Sequence, residues 1–596
     1  MVLTNHKNIH LDIEAILKQF APLYWQKLPL VLHKPIVRFF HHLLSVNRIE
    51  KFLQDHRGVR GFNLIDDLFD MLEVSFLVSS RELERIPATG KVVCVSNHPL
   101  GGLDGLVILK AIHEIRPDVR IVVNNVLLAI NGLVDLFLPV DVFTKSSTRA
   151  HIHRIDEALE HEEVVVFFPS AEVSRISFRG VTDTKWHTGA VRFAQHHKAP
   201  ILPMYVGAKN SAFFYGVSLI SKNISMLCLP HEMLHGKPKP VRLHVGELIP
   251  HDAFSHLQAK AATKLIRKQS ESLPFGKKGP FRTERGIARP VERQVLRREL
   301  DTALFLGSPD PQKKLFLAIA SDSPSVVREI ARLREVTFRH VGEGTGKRLD
   351  LDQYDQCYRH LLLWDDEQLE IVGAYRLGFC DEILQTHGMQ GLYTSSLFHF
   401  SAEFLKILPS AVEMGRSFIQ RQYWNSHALE YLWAGIGLVI SNEESVKYLY
   451  GPVSISGTYS REAQEAMVFV CSKWYGAPAG YVSSMHPYRV PEENKSLLQE
   501  YFCGTTYRED LNKLKLRLRA LGVSIPTLIR QYSELCSPEG VRFCDFGVDE
   551  NFGSCIDGFI QLDLAHLTPE KYERYIGQYK SVLVYPGRKA SQSVIS

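Results

Sequence analysis

Short apolar runs alternate with helical patterns along the N-terminal half of the chain and predict an α/β domain. Strand-like runs rich in β-branched residues lie at 91–95, 119–123, 164–168 and 200–206. Stretches with helical character lie between them, for example at 149–161 and 189–197. Because strands that alternate with helices pack as layers, we expect an α/β fold here.

A second α/β unit is predicted in the C-terminal half. The run at 315–319 is typical of a strand, and 324–337 has the spacing of an amphipathic helix. The runs at 361–364 and 371–377 indicate a strand pair around a polar turn. No internal repeat relates the two halves. We therefore predict two different α/β domains, at 81–273 and 311–596.

Residues 274–310 separate the two predicted domains, and we expect them to form a basic linker. Proline and glycine recur there, and eight Lys/Arg stand against two Asp/Glu between Lys277 and Arg298. Proline and glycine interrupt regular structure. The positive charge favours contact with an acidic protein or an anionic lipid surface, and a simple solvated linker is the alternative.

Residues 1–80 are expected to be helical. Aromatic, aliphatic and basic residues mix on short stretches between prolines, and 1–60 carries nine Lys/Arg against four Asp/Glu. This mixture is typical of a segment that lies on a membrane surface. A helical cap packed on the next domain is the other interpretation, and the two are compatible.

Composition supports ordinary folded domains. The chain has 596 residues, of which 45% are hydrophobic and 23% charged, enough for two to four domains of about 100–200 residues each. The net charge of +5 is too small to indicate a nucleic-acid partner, and we expect none.

The cysteines and the apolar runs exclude several classes. Nine cysteines without a C-x-x-C pair argue against a disulfide framework or a zinc site, so we expect no metal and a reducing compartment. The first residues lack a basic stretch followed by an apolar run, so we expect no signal peptide. No window approaches the ~18 uninterrupted apolar residues of a transmembrane helix.

The strongest chemical motif is Asn97-His98-Pro99-Leu100-Gly101-Gly102-Leu103-Asp104, which follows a predicted strand. A histidine can take the proton of a hydroxyl as it attacks a thioester, an effect of ~10²–10⁴-fold. A carboxylate on the other ring nitrogen fixes the tautomer and stabilises the imidazolium. The glycines allow a tight turn that Asn97 can brace. A turn histidine without special function is the alternative.

A second segment strengthens the hypothesis of an active site. Phe167-Phe168-Pro169-Ser170-Ala171-Glu172-Val173-Ser174-Arg175 also follows a predicted strand. It places Glu172 and Arg175 in a loop.

These two segments resemble the glycerolphosphate/lysophosphatidate-type acyltransferases, whose hallmark is an Asn-His…Asp motif. In the family four residues separate His from Asp, and the later block is Phe-Pro-Glu-Gly-Thr-Arg. Here five residues separate His98 from Asp104, and the glutamate is shifted to Glu172. Both departures resemble the branch that acylates lyso-aminolipids. The resemblance covers about 85–260 and implies a catalytic role for His98 and Asp104 and substrate binding by Asn97, Glu172 and Arg175.

The C-terminal half carries a separate set of charged and aromatic residues. In chain order the set is Arg334, Phe338, Asp350, Asp352, Asp355, Arg376, Glu413 and Arg416. Carboxylates beside strands can hold an amine and arrange its deprotonation before it attacks a thioester. Arginines suit a carboxylate or a phosphate. An ordinary surface salt-bridge network is the alternative.

This set resembles the N-acyltransferases that make lyso-ornithine lipid, relatives of acyl-homoserine-lactone synthases with a GNAT-type fold. The shared pattern is Arg-x-x-x-Phe, an acidic cluster ending Asp-x-Tyr-Asp, Gly-x-Tyr-Arg-Leu and Glu-x-Gly-Arg-Ser. All four occur here in order, from Arg334 to Ser417. The resemblance covers about 315–570 and implies substrate binding by Arg334, Phe338, Asp352, Asp355, Arg376, Glu413 and Arg416.

Both resemblances on one chain imply a bifunctional ornithine-lipid synthase of the bacterial type. The C-terminal domain is expected to transfer a 3-hydroxyacyl group from acyl carrier protein to ornithine, and the N-terminal domain to acylate the new 3-hydroxyl. No cofactor is implied beyond the acyl carrier protein that carries the co-substrate. The expected partners are that protein, an amino acid and the lipid surface, at the cytoplasmic face of the inner membrane without a span.

Two other classes of function remain open at this point. One is an acyltransferase with a different acceptor, either a lysophospholipid or another amino acid such as glycine. The other is a non-catalytic membrane-binding or lytic protein, which would need neither the His98–Asp104 pair nor the Glu413/Arg416 block.

Overall fold

The computed structural model divides the chain into two compact units, residues 1–288 and 289–596. It describes residues 2–5, 8–20, 25–26, 29–124, 131–140, 149–177, 180–220, 225–226, 228–235, 240–550 and 552–579. Both units mix helices with a sheet, as the sequence patterns predict.

Seven of the described strands of the first unit form one mixed sheet in the order β3-β11-β10-β4-β7-β5-β6. The strands of this unit are β1 Val2–Asn5, β2 Asn8–Leu11, β3 Phe76–Leu77, β4 Val92–Val95, β5 Val119–Asn124, β6 Phe137–Val140, β7 Val164–Phe167, β8 Arg175–Ser177, β9 Gly180–Thr182, β10 Ile201–Gly207 and β11 Val241–Val245. The central strand β4 runs parallel to both neighbours, β7 and β10. The pairs β1–β2 and β8–β9 form separate small sheets.

Helices cover both faces of this sheet. They are α1 Ile13–Phe20, α2 Leu30–Leu43, α3 Val46–Asp55, α4 Gly61–Leu72, α5 Ser80–Leu83, α6 Gly102–His113, α7 Arg149–Glu160, α8 Gly189–His196, α9 Ala212–Ile220, α10 Leu229–His235, α11 Asp252–Ser255 and α12 Ala259–Ser272. Val92 and Cys94 of β4 join one core cluster, and Val93 and Val95 join the cluster on the other face. Alternate strand residues point to opposite faces, so burial on both sides explains an uninterrupted apolar run.

The N-terminal helices contain both a packed part and an exposed part. Leu64, Ile65 and Phe69 of α4 are buried in the core of the unit. In contrast, α2 buries no residue, and its Leu30 and Val31 are 82% and 84% exposed. Among the residues that the structure describes, no helix combines the length and the apolar character needed to cross a bilayer.

The second unit is built on an eight-stranded sheet with the order β12-β13-β14-β15-β17-β18-β21-β20. Its strands are β12 Leu304–Asp310, β13 Lys313–Ala318, β14 Arg359–Asp365, β15 Glu370–Phe379, β16 Phe398–Phe400, β17 Ala411–Ile419, β18 Tyr448–Ile455, β19 Val482–Ser484, β20 Val541–Asp549 and β21 Cys555–Asp563. Neighbours are antiparallel except β17 and β18, which pair in parallel from Ala411 to Glu413. Beyond Glu413 these two strands pair no further.

The helices of the second unit include the predicted one at 324–337, which extends to His340. They are α13 Arg293–Leu300, α14 Pro324–His340, α15 Cys380–His387, α16 Ala402–Leu405, α17 Ala428–Ser441, α18 Arg461–Tyr475, α19 Glu492–Tyr501, α20 Tyr507–Ala520, α21 Thr527–Ser533 and α22 Pro569–Tyr575. Short 3₁₀ turns at Gln353–Gln356 and Tyr393–Ser396 carry residues of the site described below.

The segment at 274–310, expected to be a basic linker, is partly regular structure. Helix α13 and the first strand of the second sheet, β12, fall inside it. Leu296 and Leu300 stand four apart and are 2% and 1% exposed, so an amphipathic helix lies within the run of cations. Several of those cations are paired, for example Arg282 with Asp252 at 2.6 Å. Much of the positive charge is thereby neutralised.

Two candidate active sites

The first site is set by the junction of β4 and α6. His98 comes just after the strand, and Asp104 lies in the first turn of the helix. His98 Nδ1 lies 2.9 Å from Asp104 Oδ2. The two motif residues are therefore brought together as a His–Asp pair through Nδ1 of the imidazole.

Asp104 is fully buried and held by the backbone of its own turn. Its carboxylate accepts the N–H groups of Leu100 at 2.9 Å and Gly101 at 3.1 Å. Burial raises the pKa of Asp104, and the His98 contact and these two N–H groups act against the rise. Gly101 has φ +84°, a left-handed conformation that suits glycine.

The His98 ring is fixed by aromatic and polar neighbours. It stacks on Phe168, with ring centroids 4.1 Å apart. Its backbone N–H donates to Asp183 Oδ1 at 3.2 Å, and its carbonyl accepts the N–H of Ser174 at 2.8 Å. Trp186 Nε1 also donates to Asp183, at 2.9 Å. Asp183 therefore organises the turn, although the sequence reasoning did not identify it.

Asn97 braces the turn rather than pointing to a substrate. Its Nδ2 donates to the carbonyl of Val206 at 3.0 Å, and its Oδ1 accepts the Val206 N–H at 2.7 Å. The amide thus binds both backbone groups of one β10 residue. Nearby, Asn210 Nδ2 donates to the Pro99 carbonyl at 3.0 Å. These two bonds anchor the motif to the neighbouring strand and the loop after it.

Glu172 and Arg175 lie within two residues of Ser174, whose N–H donates to the His98 carbonyl. Arg175 Nη1 donates to Ser225 Oγ at 2.5 Å, and the guanidinium lies 5.7 Å from the centre of the Phe214 ring. Burial lowers the pKa of Arg175, and the nearby charge of Glu172 opposes that shift. The two predicted residues are therefore neighbours, in a segment that lies against the His98 turn.

The second site is built around a buried arginine–carboxylate network. Arg334 on α14 binds Asp355 through both terminal nitrogens, with Nη1 to Oδ1 and Nη2 to Oδ2 each at 2.9 Å. Its Nε lies 3.3 Å from Asp350 Oδ2. Arg334 and Asp355 are both completely buried. A surface salt-bridge network is thus excluded for this pair.

A second arginine joins the same carboxylates from the sheet. Arg376 on β15 lies 2.7 Å from Asp352 Oδ1 and 3.3 Å from Asp355 Oδ1. Burial alone would raise the pKa of Asp355, but the charges of Arg334 and Arg376 hold it well below its usual range. The guanidinium of Arg376 also lies 5.1 Å from the centre of the Tyr358 ring.

Glu413 lies at the last paired position before β17 and β18 separate. Its Oε2 accepts the hydroxyl of Tyr358 at 2.6 Å, and its Oε1 accepts the N–H of Thr394 at 2.8 Å. Burial raises the pKa of Glu413. A buried carboxylate with a raised pKa is suited to take up a proton. Tyr358 and Thr394 were missed because neither stands near Glu413 in the sequence.

Arg416 is held between two aromatic rings. Its guanidinium lies 4.8 Å from the centre of Tyr393 and 4.5 Å from that of Phe552. Its Nε lies 3.3 Å from Asp350 Oδ2, and its backbone has φ +49°. Phe338 packs edge-on against Phe552, with centroids 5.0 Å apart. Phe338 therefore packs against one of the two aromatic rings that contact Arg416.

One group of described residues has side chains arranged as metal ligands. Asp156, His196 and His197 have ligand atoms within 4.8 Å of one another. His197 Nε2 lies 2.7 Å from Asp156 Oδ1, so the carboxylate already has a partner. None of the three belongs to the two candidate sites.

Two family models match the chain, one over each unit. A model described as acyltransferase matches residues 16–278, and a model described as acetyltransferase (GNAT) domain matches residues 333–434. Together with the His98–Asp104 pair and the buried arginine network, they define a two-domain acyltransferase.

Curated relatives each match about half of this chain or less. A glycine N(alpha)-acyltransferase of Phocaeicola vulgatus is 32% identical over 306 residues, which are 49% of this chain and 93% of the relative. The chain belongs to the same acyltransferase family as this protein. A lyso-glycine lipid O-acyltransferase of the same organism is 28% identical over 42% of this chain and 90% of its own length. An L-ornithine N(alpha)-acyltransferase of Rhizobium meliloti is 27% identical over 25% of this chain and 51% of its own length.

The solved structures with similarity to the chain are distant. One is a CoA-dependent acyl-homoserine lactone synthase, BjaI, with 12% identity, 34% of this chain and 92% of that chain covered, and a TM-score of 0.18. Another is the arginine/ornithine succinyltransferase subunit AI from Pseudomonas aeruginosa, with 14% identity and a TM-score of 0.19. The match covers 49% of this chain and 78% of that chain.

Proposed function

We propose that this chain is a bifunctional synthase of ornithine lipid. In the second unit the α-amine of ornithine attacks the thioester of a 3-hydroxyacyl-acyl carrier protein. In the first unit the 3-hydroxyl of the resulting lyso-lipid attacks a second acyl thioester. The observation that carries the proposal is the presence, on one chain, of the His98–Asp104 pair, with its buried carboxylate, and of the buried Arg334–Asp355–Arg376 network together with the buried Glu413.

The first reaction forms an amide bond and breaks a carbon–sulfur bond. An α-ammonium is protonated near neutral pH and must lose a proton before its nitrogen attacks. Glu413 is the candidate acceptor, because burial raises its pKa toward the range in which a carboxylate takes up a proton. The proton then leaves with the thiol of the carrier. The ion pairs with Asp352 and Asp355 keep Arg376 charged. Arg376 thereby holds the two carboxylates in place during the proton transfer.

The second reaction forms an ester by the same attack on a thioester. His98 Nε2 takes the proton of the 3-hydroxyl as the oxygen attacks, while Asp104 stabilises the imidazolium through Nδ1. The proton is then delivered to the leaving thiol. Phe168 and the Ser174 N–H hold the histidine in place, so little motion is needed during proton transfer.

Glycine is the second candidate acceptor, and the relatives favour it. The glycine N(alpha)-acyltransferase and the lyso-glycine lipid O-acyltransferase of Phocaeicola vulgatus name the same pair of reactions on separate proteins. An acyltransferase specific for glycine would carry out the same chemistry with the same residues. The two candidates differ only in whether the second unit also binds an amino-acid side chain, which glycine lacks.

A lipid surface and an acyl carrier protein are the proposed partners. The intermediate is itself a lipid, and helix α2 exposes Leu30, Val31 and Phe39 beside Lys34 and Arg38. Such a surface fits the interface of an anionic membrane. For the acidic carrier protein the support is the basic stretch from Lys277, in which Lys277 and Lys278 are exposed.

The lipid extract of a host that lacks aminolipids and expresses this chain tests the proposal. Mass spectrometry should show a diacylated ornithine lipid, absent from a host that carries the empty vector. A diacylated glycine lipid would instead support the second candidate. If neither aminolipid forms while the folded chain is present, the proposed function is wrong.

A further inference from the structure

Helix α20, Tyr507–Ala520, carries a concentration of positive charge in the second unit. From position 511 to 533 the chain has five Lys/Arg and no Asp/Glu. The two acidic residues of the helix, Glu509 and Asp510, lie in its first turn, so the positive charge increases toward its C-terminal end. The basic stretch from Lys277 belongs to the first unit. Helix α20 is therefore a separate cationic surface.

The apolar face of α20 is already covered by the protein itself. Leu514 and Leu518 are 2% and 0% exposed and belong to the main core cluster of the unit. Outside this face lie Lys515, which is half-buried, the exposed Arg519, and Leu516, which is 64% exposed. A helix that lies on a bilayer inserts its apolar face. The free surface of α20 is instead cationic with one apolar side chain, which favours an acidic protein as its partner.

The cations of this surface are not neutralised within the chain. Arg517 Nη2 lies 2.9 Å from Glu462 Oε1. Lys515 and Arg519, in contrast, form no ion pair with any carboxylate in the part of the chain that the structure describes. Unbalanced charge at an exposed surface attracts partners of opposite charge and raises the rate at which they associate.

The C-terminal end of α20 lies beside the loop that follows β18. The hydroxyl of Tyr459, in that loop, donates to the Ser524 carbonyl at 3.2 Å. Glu462, which pairs with Arg517, lies in the first turn of α18. The cationic end of α20 is therefore held against the junction of β18 and α18.

Strand β18 connects this junction to the second candidate site. Its Tyr450 is the register partner of Glu413. The strand continues from Tyr450 to Ile455, a distance of about 17 Å at about 3.3 Å per residue. The cationic surface is therefore next to the far end of the strand that pairs with Glu413.

We propose that Lys515, Leu516 and Arg519 form the docking surface for the acidic acyl carrier protein that brings the acyl thioester to the second unit. The two cations pair with acidic side chains of the carrier, and Leu516 adds an apolar contact. The flexible prosthetic arm of the carrier then brings the thioester from the end of β18 toward Glu413. This inference rests on the proposed N-acyltransferase function and specifies where its donor binds.

The test compares two donors of the same 3-hydroxyacyl group, one bound to acyl carrier protein and one bound to pantetheine alone. The full-length enzyme is assayed with ornithine and with glycine, and kcat/KM is measured for each donor. In the double variant Lys515→Glu/Arg519→Glu the value for the carrier-bound donor should fall by about 10-fold or more, mainly through KM, because attraction becomes repulsion. The value for the pantetheine thioester should stay unchanged, which also shows that the variant is folded.

Lys406→Glu is the matched control. Lys406 is exposed and lies five positions before Ala411, the first residue of β17. Since β17 and β18 are parallel, it lies near the opposite end of these strands from α20. Reversing its charge should change kcat/KM for neither donor. Added salt should lower the wild-type value for the carrier-bound donor toward that of the double variant.

Three outcomes would overturn the inference and leave the N-acyltransferase function intact. The first is an equal loss with both donors, because α20 would then affect the site itself. The second is an unchanged kcat/KM with the carrier-bound donor, and a loss of co-sedimentation with anionic vesicles would then assign the surface to a bilayer. The third is a wild type that uses only the pantetheine thioester. A wild type that acylates no amino acid from either donor would overturn the proposed function, and the inference with it.

Discussion

Nδ1 of His98 lies 2.9 Å from Oδ2 of Asp104, although five residues separate the two in the chain. The turn between them closes because Asp104 accepts the N–H groups of Leu100 and Gly101. One carboxylate thus performs two tasks, since it caps the start of α6 and orients the imidazole. Replacing it with alanine would disturb both tasks, so a milder change is more informative.

Asp104→Asn should abolish most O-acylation and spare N-acylation. Asparagine can still accept a backbone N–H, but its amide cannot stabilise an imidazolium at Nδ1. We expect O-acylation to fall by ~10²–10⁴-fold, the usual contribution of a general base. The measurement is the ratio of lyso-lipid to diacylated lipid in the host, which should rise.

A matched control exists in the same domain. His197 Nε2 and Asp156 Oδ1 form another His–Asp pair, at 2.7 Å. Asp156→Asn should leave the lipid ratio unchanged. If Asp104→Asn still made diacylated lipid at the wild-type rate, the role of His98–Asp104 as the O-acylation base would be wrong.

Glu413→Gln should remove N-acylation and leave O-acylation of added lyso-lipid intact. Glutamine can accept the Thr394 N–H through its carbonyl oxygen and donate its NH2 group to the oxygen of the Tyr358 hydroxyl, so packing is kept while the proton acceptor is lost. We expect a decrease of about 10²-fold or more in N-acylation. Glu382→Gln, which alters a half-exposed pair with Arg359, is the control. Wild-type N-acylation by a folded Glu413→Gln enzyme would remove Glu413 from the chemistry.

Much of the fold was predictable because strands leave a strong local signal. The runs at 164–168, 200–206 and 361–364 coincide with β7, β10 and β14, since a strand buried on both faces is apolar throughout. The prediction of a linker at 274–310 missed helix α13 and strand β12 for a related reason. Its cations dominate the composition, whereas Leu296 and Leu300 alone carry the helical signal of α13.

The sites were only half predictable. His98, Asp104 and the charged residues of the second unit stand in recognisable local spacings. Asp183, which bonds the His98 backbone, lies 85 positions away from it, and Tyr358 lies 55 positions from Glu413. Such pairs depend on which segments become neighbours in the fold, and the local periodicity of the sequence does not predict that.

His360 should make the second unit less stable in mild acid. It is completely buried on β14, and burial lowers its pKa to about 4, against about 6.5 in an unfolded chain. Between these values the unfolded state binds a proton that the folded state does not. The free energy of unfolding therefore falls as the pH drops from about 6.5 to 4, by about 3 kcal/mol in total.

Buried carboxylates titrate in the same pH range and also change the stability of the second unit. The prediction therefore concerns the difference between wild type and a variant that lacks His360. Asp557, with a raised pKa of about 6, favours the folded state as pH falls through that range. Comparing His360→Gln with wild type isolates the histidine. Hydrogen exchange of β14 amides, measured at about pH 7 and pH 5, should lose less protection in the variant than in wild type. Equal losses would contradict the prediction.

The exposed face of α2 should control binding to membranes. Leu30 and Val31 are more than four-fifths exposed, and about 1.5–3 kcal/mol is gained by burying each such side chain in an apolar medium. Replacing both with serine should therefore lower co-sedimentation with anionic vesicles by at least about 10-fold. A deletion of residues 1–60 is a poorer test, because Phe52 belongs to the core cluster of the unit and its loss would disturb the fold.

Leu497→Ser is the matched control for this surface. Leu497 is 66% exposed in the second unit, so its replacement removes exposed apolar surface from outside α2. We expect the control to bind vesicles like wild type and both proteins to keep N-acylation with a carrier-bound donor in solution. O-acylation should decrease in the α2 variant alone, since its lipid acceptor partitions into the bilayer. Unchanged vesicle binding by the α2 variant would place the membrane contact elsewhere on the chain.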